Sequence, residues 1–318
     1  MRNISLLAII LLTLNGQAKA SSGYAGAYTT IGSDARSVAL AGATVADINS
    51  GYLAYTNPAS LAYVDRLEVG LSHIALPLDR SLQSASIATR LPPTAAVSLS
   101  YIRAGDDKIQ GRNSVGQPTG ELTYADQMIS LTFANQLTGT ISMGMNANLL
   151  LISLADENAK GFAIDFGFLY HRPSGLNVAV RVRNLTGAYS WKVAAADKER
   201  GYKDYLPLVI SAGTRLPWRQ FVLFAATNLA YPRVEVSTGA ARIGAALADP
   251  IATVHLALET EIDGRFYLRG GLNQNTPTIG VGLQYTIRKH KDSRVDYSFH
   301  PGVNREGFGH LFSWIFAL

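Results

Sequence analysis

Apolar and polar residues alternate along one stretch of about ten residues after another, and this alternation constrains the fold more than any other feature. Ile129, Leu131, Phe133 and Leu137 share one face, with Ser130, Thr132 and Gln136 on the other. Ile141, Met143, Met145, Ala147, Leu149 and Leu151 oppose Ser142, Gly144, Asn146 and Asn148. The pattern returns in "GFAIDFGFLYHR", in "SGLNVAVRVRN" and in "PTIGVGLQYTIR". Side chains of a strand point to opposite faces in turn, so each stretch reads as a two-faced strand. Its length is what a tilted strand needs to cross a bilayer, about 9–11 residues.

Both a soluble sandwich and a transmembrane barrel alternate, and the polar face separates them. Here it is Gly, Ser, Asn and isolated Arg, with little Lys or Glu. Charged residues are 16% of the 318-residue chain and hydrophobic ones 47%, against about 25% charged in soluble domains. A lumen lined by small polar groups, with the apolar face turned to lipid, accounts for this better than a solvated sheet does. The expected fold is an all-β, transmembrane antiparallel β-barrel of about fourteen strands, since single-chain bacterial barrels have even strand numbers. Candidate strands run from 67–76 to 308–318. Short turns at 137–139, 172–175 and 263–264 join antiparallel neighbours. The longer polar connections 104–120, 186–205 and 288–293 read as loops outside the membrane. Tyr101, Tyr170, Tyr189, Trp191, Trp218 and Tyr231 sit near strand ends, where interfacial aromatic girdles belong.

The N-terminus "MRNISLLAIILLTLNGQAKA" has a cation at Arg2, an apolar run from Ile4 to Leu14 and Ala18-Lys19-Ala20 at its end. That is the plan of a cleaved secretory signal over 1–20, too short in its apolar run to span a membrane. The expected location is the outer membrane of a bacterium with two membranes. The chain has no cysteine, which rules out disulfides and thiolate chemistry. The net charge of +5 is spread out, with no basic run for nucleic acid. The six histidines lack metal-ligand spacing, and no nucleophile elbow or phosphate loop is present. No catalytic residue, metal or cofactor is expected, and the protein is read as not an enzyme.

Residues 21–64 do not alternate. They are Gly- and Ala-rich and compact in character, unsuited to a lipid-facing strand, and read as a plug inside the lumen of a barrel spanning 65–318. The chain ends in "GFGHLFSWIFAL". There Phe312, Trp314, Phe316 and Leu318 share one face of the strand that must close the barrel. This terminus resembles the signal read by the bacterial barrel-assembly machinery, although such signals most often end in Phe.

"ARSVALAGATVA" followed by "NPASLA" resembles the N-terminal signature of the PorV/PorQ-like proteins, and more distantly of FadL-like outer-membrane transporters. "GELTYADQMISLTFANQL", "GFAIDFGFLYHRPSGLNVAVRVRNLTG", "LPLVISAGTRLP", "FYLRGGLN", "TIGVGLQY", "VDYSF" and "GHLFSWIF" are similar, in order, to later strands of that family. The resemblance covers nearly all of the mature chain. It implies a fourteen-stranded barrel with its N-terminal segment folded inside as a hatch. In FadL-like relatives it implies passage of hydrophobic small molecules; in the PorV/PorQ branch, help with type IX protein secretion.

The leading expectation is a non-enzymatic conduit or binding barrel for small hydrophobic molecules, with the secretion accessory as its alternative. Candidate hatch or ligand residues are Asn57, Pro58 and Ala59, a turn in which Pro fixes φ and Asn bonds nearby backbone. Arg181, Arg183, Arg215, Glu259 and Arg269 lie in the inward register with Asp165, Arg294 and Asp296. The arginines suit a carboxylate head group, and both signs together suit an internal ion-pair network. Expected partners are outer-membrane lipids, the barrel-assembly machinery, and either a hydrophobic small-molecule ligand or secretion-system proteins; no nucleic acid is expected.

Overall fold

The structure, a computed structural model, describes residues 24–49, 52–195, 198–238, 241–288, 291–301 and 307–318. The expected signal segment 1–20 and the start of the mature chain lie outside the described residues. The strands are β1 (Glu68–Ala75), β2 (Ser81–Leu91), β3 (Ala95–Arg112), β4 (Pro118–Gln136), β5 (Ile141–Leu154) and β6 (Glu157–His171). Next come β7 (Asn177–Arg183), β8 (Ala188–Ala195), β9 (Lys198–Tyr205), β10 (Leu208–Trp218), β11 (Phe221–Tyr231) and β12 (Arg233–Thr238). The last are β13 (Ala241–Leu247), β14 (Ile251–Ile262), β15 (Phe266–Asn273), β16 (Thr276–Arg288), β17 (Lys291–Pro301) and β18 (Phe308–Ala317).

These strands close into a fourteen-strand antiparallel barrel. The segments β7 and β8, β9 and β10, β11 and β12, and β13 and β14 each make up one interrupted pass. Neighbours pair along the chain until β18 returns to β1, with Glu68 opposite Ala317 and Ala75 opposite His310. The amide of Leu318 donates to the carbonyl of Leu67 at 2.8 Å, carrying the seam to the chain end. Where the ladders join all fourteen passes, closure leaves no strand edge, which lipid would penalise by several kcal/mol per unpaired group.

The alternation sorts as expected. Leu99, Leu131, Phe133, Met145, Phe166 and Val180 are exposed on the outside, whereas Ser98, Thr132, Asn146, Asp165 and Arg181 are buried inside. On β18, Phe312, Trp314 and Leu318 are exposed outward and Phe316 is half-buried. Ser313 points inward and accepts from the amide of Ala35 at 2.6 Å.

One end of the barrel carries short turns at residues 92–94, 137–140, 172–176, 219–220 and 263–265; the other carries long hairpins. The expected loops 104–120 and 186–205 are therefore largely strand. β3 runs to Arg112 and β4 begins at Pro118, and β8 pairs with β9 from Ala188↔Tyr205 to Ala195↔Lys198. These ladders lost their alternation because beyond the lipid both faces can be polar. Likewise 288 and 291–293 are strand, with Arg288 opposite Lys291 and 289–290 outside the described residues. Tyr189 and Trp191 also depart from expectation. They are buried inside the barrel, 0% and 6% exposed, and are not part of a girdle. An insertion at Asn184–Gly187, where residues 163–165 oppose 183–187, adds two residues and so carries the inward parity of Arg181 and Arg183 on to Tyr189 and Trp191.

The pass formed by β10 and β9 parts from its neighbour at paired prolines. The β10–β11 ladder ends at Leu208↔Tyr231, and the next residues are Pro207 and Pro232. Neither has an N–H to donate, and beyond them β9 pairs with β8 while β12 pairs with β13.

The two-faced wall makes a direct prediction. Leu131→Arg, on the lipid face in mid-strand, should destabilise the barrel by about 2–4 kcal/mol in reversible folding into lipid vesicles. A stability unchanged from the parent would mean that this face does not meet lipid.

Candidate functional site

The described part of the N-terminal segment, within 24–64, lies against the inner wall. Its helix Ala35–Ala39 is capped by Asp34, whose Oδ1 accepts from the amide of Ser37 at 3.0 Å. Thr278 donates to the carbonyl of Ala39 at 2.9 Å, and His255 Nδ1 lies 2.8 Å from that of Ala41. The small residues that disqualified this segment as a strand let it approach the wall. A Cβ on Gly280 would come within 2.5 Å of that of Ala39, and one on Gly271 within 2.7 Å of that of Ala41.

Asn57, Pro58 and Ala59 form a corner at the start of a 3-10 turn, Pro58–Tyr63. Asn57 is fully buried; its Oδ1 accepts from the amide of Ala59 at 3.0 Å and its Nδ2 donates to the carbonyl of Val45 at 2.9 Å. The wall makes room for this corner with two glycines. A Cβ on Gly167 would lie 2.0 Å from Asn57 Oδ1, and one on Gly144 2.5 Å from the Pro58 backbone. Ser142 donates to the carbonyl of Ala59 at 3.0 Å. Arg181 holds the carbonyl of Thr56 through Nη1 and Ser211 through Nη2 at 3.0 Å. Arg183 lies over the Tyr55 ring, 4.9 Å from its centroid. Asp165 accepts from Asn148 at 2.9 Å and from the amide of Asn184 at 2.8 Å. These residues join segment to wall.

A second group is ionic. Arg36 forks onto Glu259, Nε to Oε2 at 2.9 Å and Nη2 to Oε1 at 3.0 Å, and its Nη1 pairs with Asp47. Arg269 bonds Glu259 at 2.6 Å and Asp296 at 2.6 Å, and Arg294 bonds Asp296 at 2.7 Å. Arg215 donates to the carbonyl of Gly175 at 3.1 Å, with its Nε 3.5 Å from Asp47. The structure thus brings Arg215, Glu259 and Arg269 together, and places Arg181 and Arg183 in a separate group around Thr56 and Tyr55. Sequence reasoning missed Arg36 and Asp47. The signal was there: two lone charges in a small-residue stretch that must be buried each need an opposite charge. Such pairs are weak net stabilisers, but removing one partner strands the other at a cost of about 3–5 kcal/mol.

Along its axis the lumen is layered. Near the hairpin end, Ile102, Met128 and Leu150 stand in one row across β3, β4 and β5. They form one apolar cluster with Tyr28, Val38, Ile74, Leu82 and Leu311, in which Tyr189, Trp191 and Leu206 also take part. Tyr189 donates to Asp126 at 2.5 Å. The next two rows toward the turns are polar: Ser100, Ser130 and Asn148, then Ser98, Thr132 and Asn146. At the turn end lies a cavity of ≈ 490 Å³ with a charged lining, including Arg36, Arg215, Glu259 and Arg294. Among the described residues, no cluster of His, Asp or Glu could hold a metal ion.

If Gly167 exists to admit Asn57, then Gly167→Ala should destabilise the barrel by about 1–3 kcal/mol through overpacking. Asn57→Ala in the same chain should recover part of that loss. A double-mutant cycle by denaturant titration in detergent reads the coupling; strictly additive losses would show that the two residues do not meet.

The sequence matches no protein-family model and no curated protein. Its fold is that of solved FadL-like transporters. The structure of the Pseudomonas putida toluene transporter TodX aligns with a TM-score of 0.62 at 12% identity, covering 90% of this chain and 99% of that one. The CymD monoaromatic hydrocarbon channel aligns at 0.59 and 13% identity, covering 93% and 99%. A Pseudomonas aeruginosa FadL homologue aligns at 0.58 and 10% identity, covering 89% and 97%. At these identities the likeness establishes a shared barrel fold along nearly the full length of each chain.

Proposed function

We propose that the chain is a non-enzymatic outer-membrane conduit for small hydrophobic molecules, with residues 21–64 acting as its hatch. The observation that carries this reading is the apolar cluster toward the hairpin end of the lumen, from Tyr28 and Val38 to Ile102, Met128 and Leu150. An apolar constriction excludes ions and water, yet it offers a hydrophobic solute a favourable passage. A water-filled porin keeps its lumen polar throughout. The hydrocarbon channels TodX and CymD share the fold, which supports passage of the same class of molecule here. In this reading the Asn57–Ala59 corner and Arg181 anchor one half of the hatch, and the Arg36–Glu259 fork anchors the other.

Export through a cleaved segment 1–20 and insertion by the barrel-assembly machinery at Phe312, Trp314, Phe316 and Leu318 belong to the same proposal, with outer-membrane lipids around the apolar belt. The alternative, a PorV/PorQ-like accessory of type IX secretion, rests on motif order. No described surface favours cargo handling, so the conduit is preferred.

The cysteine-free chain makes the test clean. Ala35→Cys with Ser313→Cys puts a thiol on each of two contacting residues: the amide N of residue 35 lies 2.6 Å from Oγ of residue 313, which keeps the two Cα atoms within roughly 6.5 Å, inside disulfide range. Cells expressing the parent chain should take up labelled toluene faster than cells without it. The oxidised double variant should lose that gain, and reduction should restore it. Equal uptake with and without the chain, over toluene and a longer-chain hydrocarbon, would defeat the proposal.

A further inference from the structure

We propose that the cavity at the turn end of the barrel binds an oxyanion, a phosphate or carboxylate group, on its arginines, independently of what passes through the lumen. The cavity encloses ≈ 490 Å³, within the range of small-molecule sites, about 300–1,000 Å³. Arg36, Arg66, Arg215, Arg219 and Arg294 all line it. So do Asp65, Glu68, Glu259 and Glu261, and these acids are not equal competitors for the guanidinium groups. Glu259 is spent on both oxygens, by Arg36 and by Arg269. Asp65 is 69% exposed and paired outward with Arg66 at 3.1 Å. Glu68 and Glu261 also line the cavity and temper the site.

What the cavity leaves over is guanidinium donors, not net charge: its arginines and acids, counted with Arg269, Asp47 and Asp296, balance at six each. Among the described residues, Arg36, Arg215, Arg269 and Arg294 pair with Asp47, Glu259 and Asp296. Arg294 reaches its carboxylate through Nε at 2.7 Å, and its Nη2 is buried with no hydrogen-bond partner. The Nε of Arg215 makes no hydrogen bond, only the 3.5 Å ion pair with Asp47. A guanidinium does not shed its proton, and its planar fork matches the geometry of phosphate and carboxylate. Water can satisfy such donors but brings no charge; an oxyanion brings both.

The same oxyanion could come from a soluble metabolite or from a lipid headgroup. Arg219 makes the second source physically accessible. It lies over the ring of Trp218, 5.2 Å from the centroid, and Trp218 is 51% exposed at the turn-end rim of the wall.

The test uses the full chain folded in non-ionic detergent, with its unfolding midpoint followed at constant ionic strength. One arm adds inorganic phosphate; the other dopes the micelles with phosphatidylglycerol. A raised midpoint in the phosphate arm points to a soluble anion, and one in the lipid arm alone to a headgroup. In either case Arg294→Gln should weaken apparent binding about tenfold, the loss of one charge-assisted contact. Arg90→Gln, at a turn outside the cavity, should leave it unchanged. If Arg294→Gln does not fold, Arg219→Gln at the rim of the same cavity takes its place. No shift in either arm, or a shift that survives loss of the cavity arginine, overturns the proposal.

Discussion

Everything in this molecule follows from one demand, that backbone N–H and C=O groups in lipid find partners within the protein. The demand is met by the seam between β1 and β18, where Glu68 to Ala75 pair with Ala317 to His310 in unbroken register. Once the sheet has closed, every strand has an inside and an outside, and a period-two sequence fixes which residues go where. The seam also explains the C-terminal strand: its aromatic residues face out while Ser313 and Leu311 face in.

Closure creates a second problem. A polar inner wall must have its hydrogen bonds met by something, and the N-terminal segment meets many of them. It meets the wall in two ways. Residues 52–64 dock through backbone carbonyls and close glycine contacts near β5 and β6. Residues 34–47 dock through the Arg36 fork and hydrogen bonds to β14, β16 and β18. The charged half depends on exact pairing, because each charge is buried; the other half depends on shape. The segment is thus held to the wall by two unlike sets of contacts.

Much of this was legible in the sequence, and the reasons are physical. Alternation with an uncharged polar face gave the barrel, and strand length with even parity gave fourteen passes. The inward ionisable residues were legible because charge on the lipid face is costly, so Arg181, Glu259 and Arg269 had only one side to occupy. What alternation could not give was structure above the bilayer. Residues 104–112 form a ladder whose two faces are both free to be polar, and so looked like loop. The inward turn of Tyr189 and Trp191 follows the parity of Arg181 and Arg183, but their place near a strand end favoured the girdle reading. Arg36 and Asp47 stood as buried-to-be charges in a small-residue stretch, but the partner Glu259, 223 residues from Arg36, leaves no local pattern. The Asn57–Pro58–Ala59 corner was read as a turn, but its dependence on Gly144 and Gly167 needed coordinates.

The central claim is that the segment before β1 is folded inside the barrel and fastened to its wall. Hydrogen–deuterium exchange on the detergent-solubilised barrel tests it directly, by comparing peptides from 34–47 and 52–64 with peptides from β5 and β16. The account predicts protection in the segment approaching that of the wall strands, with Arg36→Gln loosening 34–47 more than 52–64. Exchange in the segment as fast as that of an unstructured chain, with the wall still protected, would contradict it.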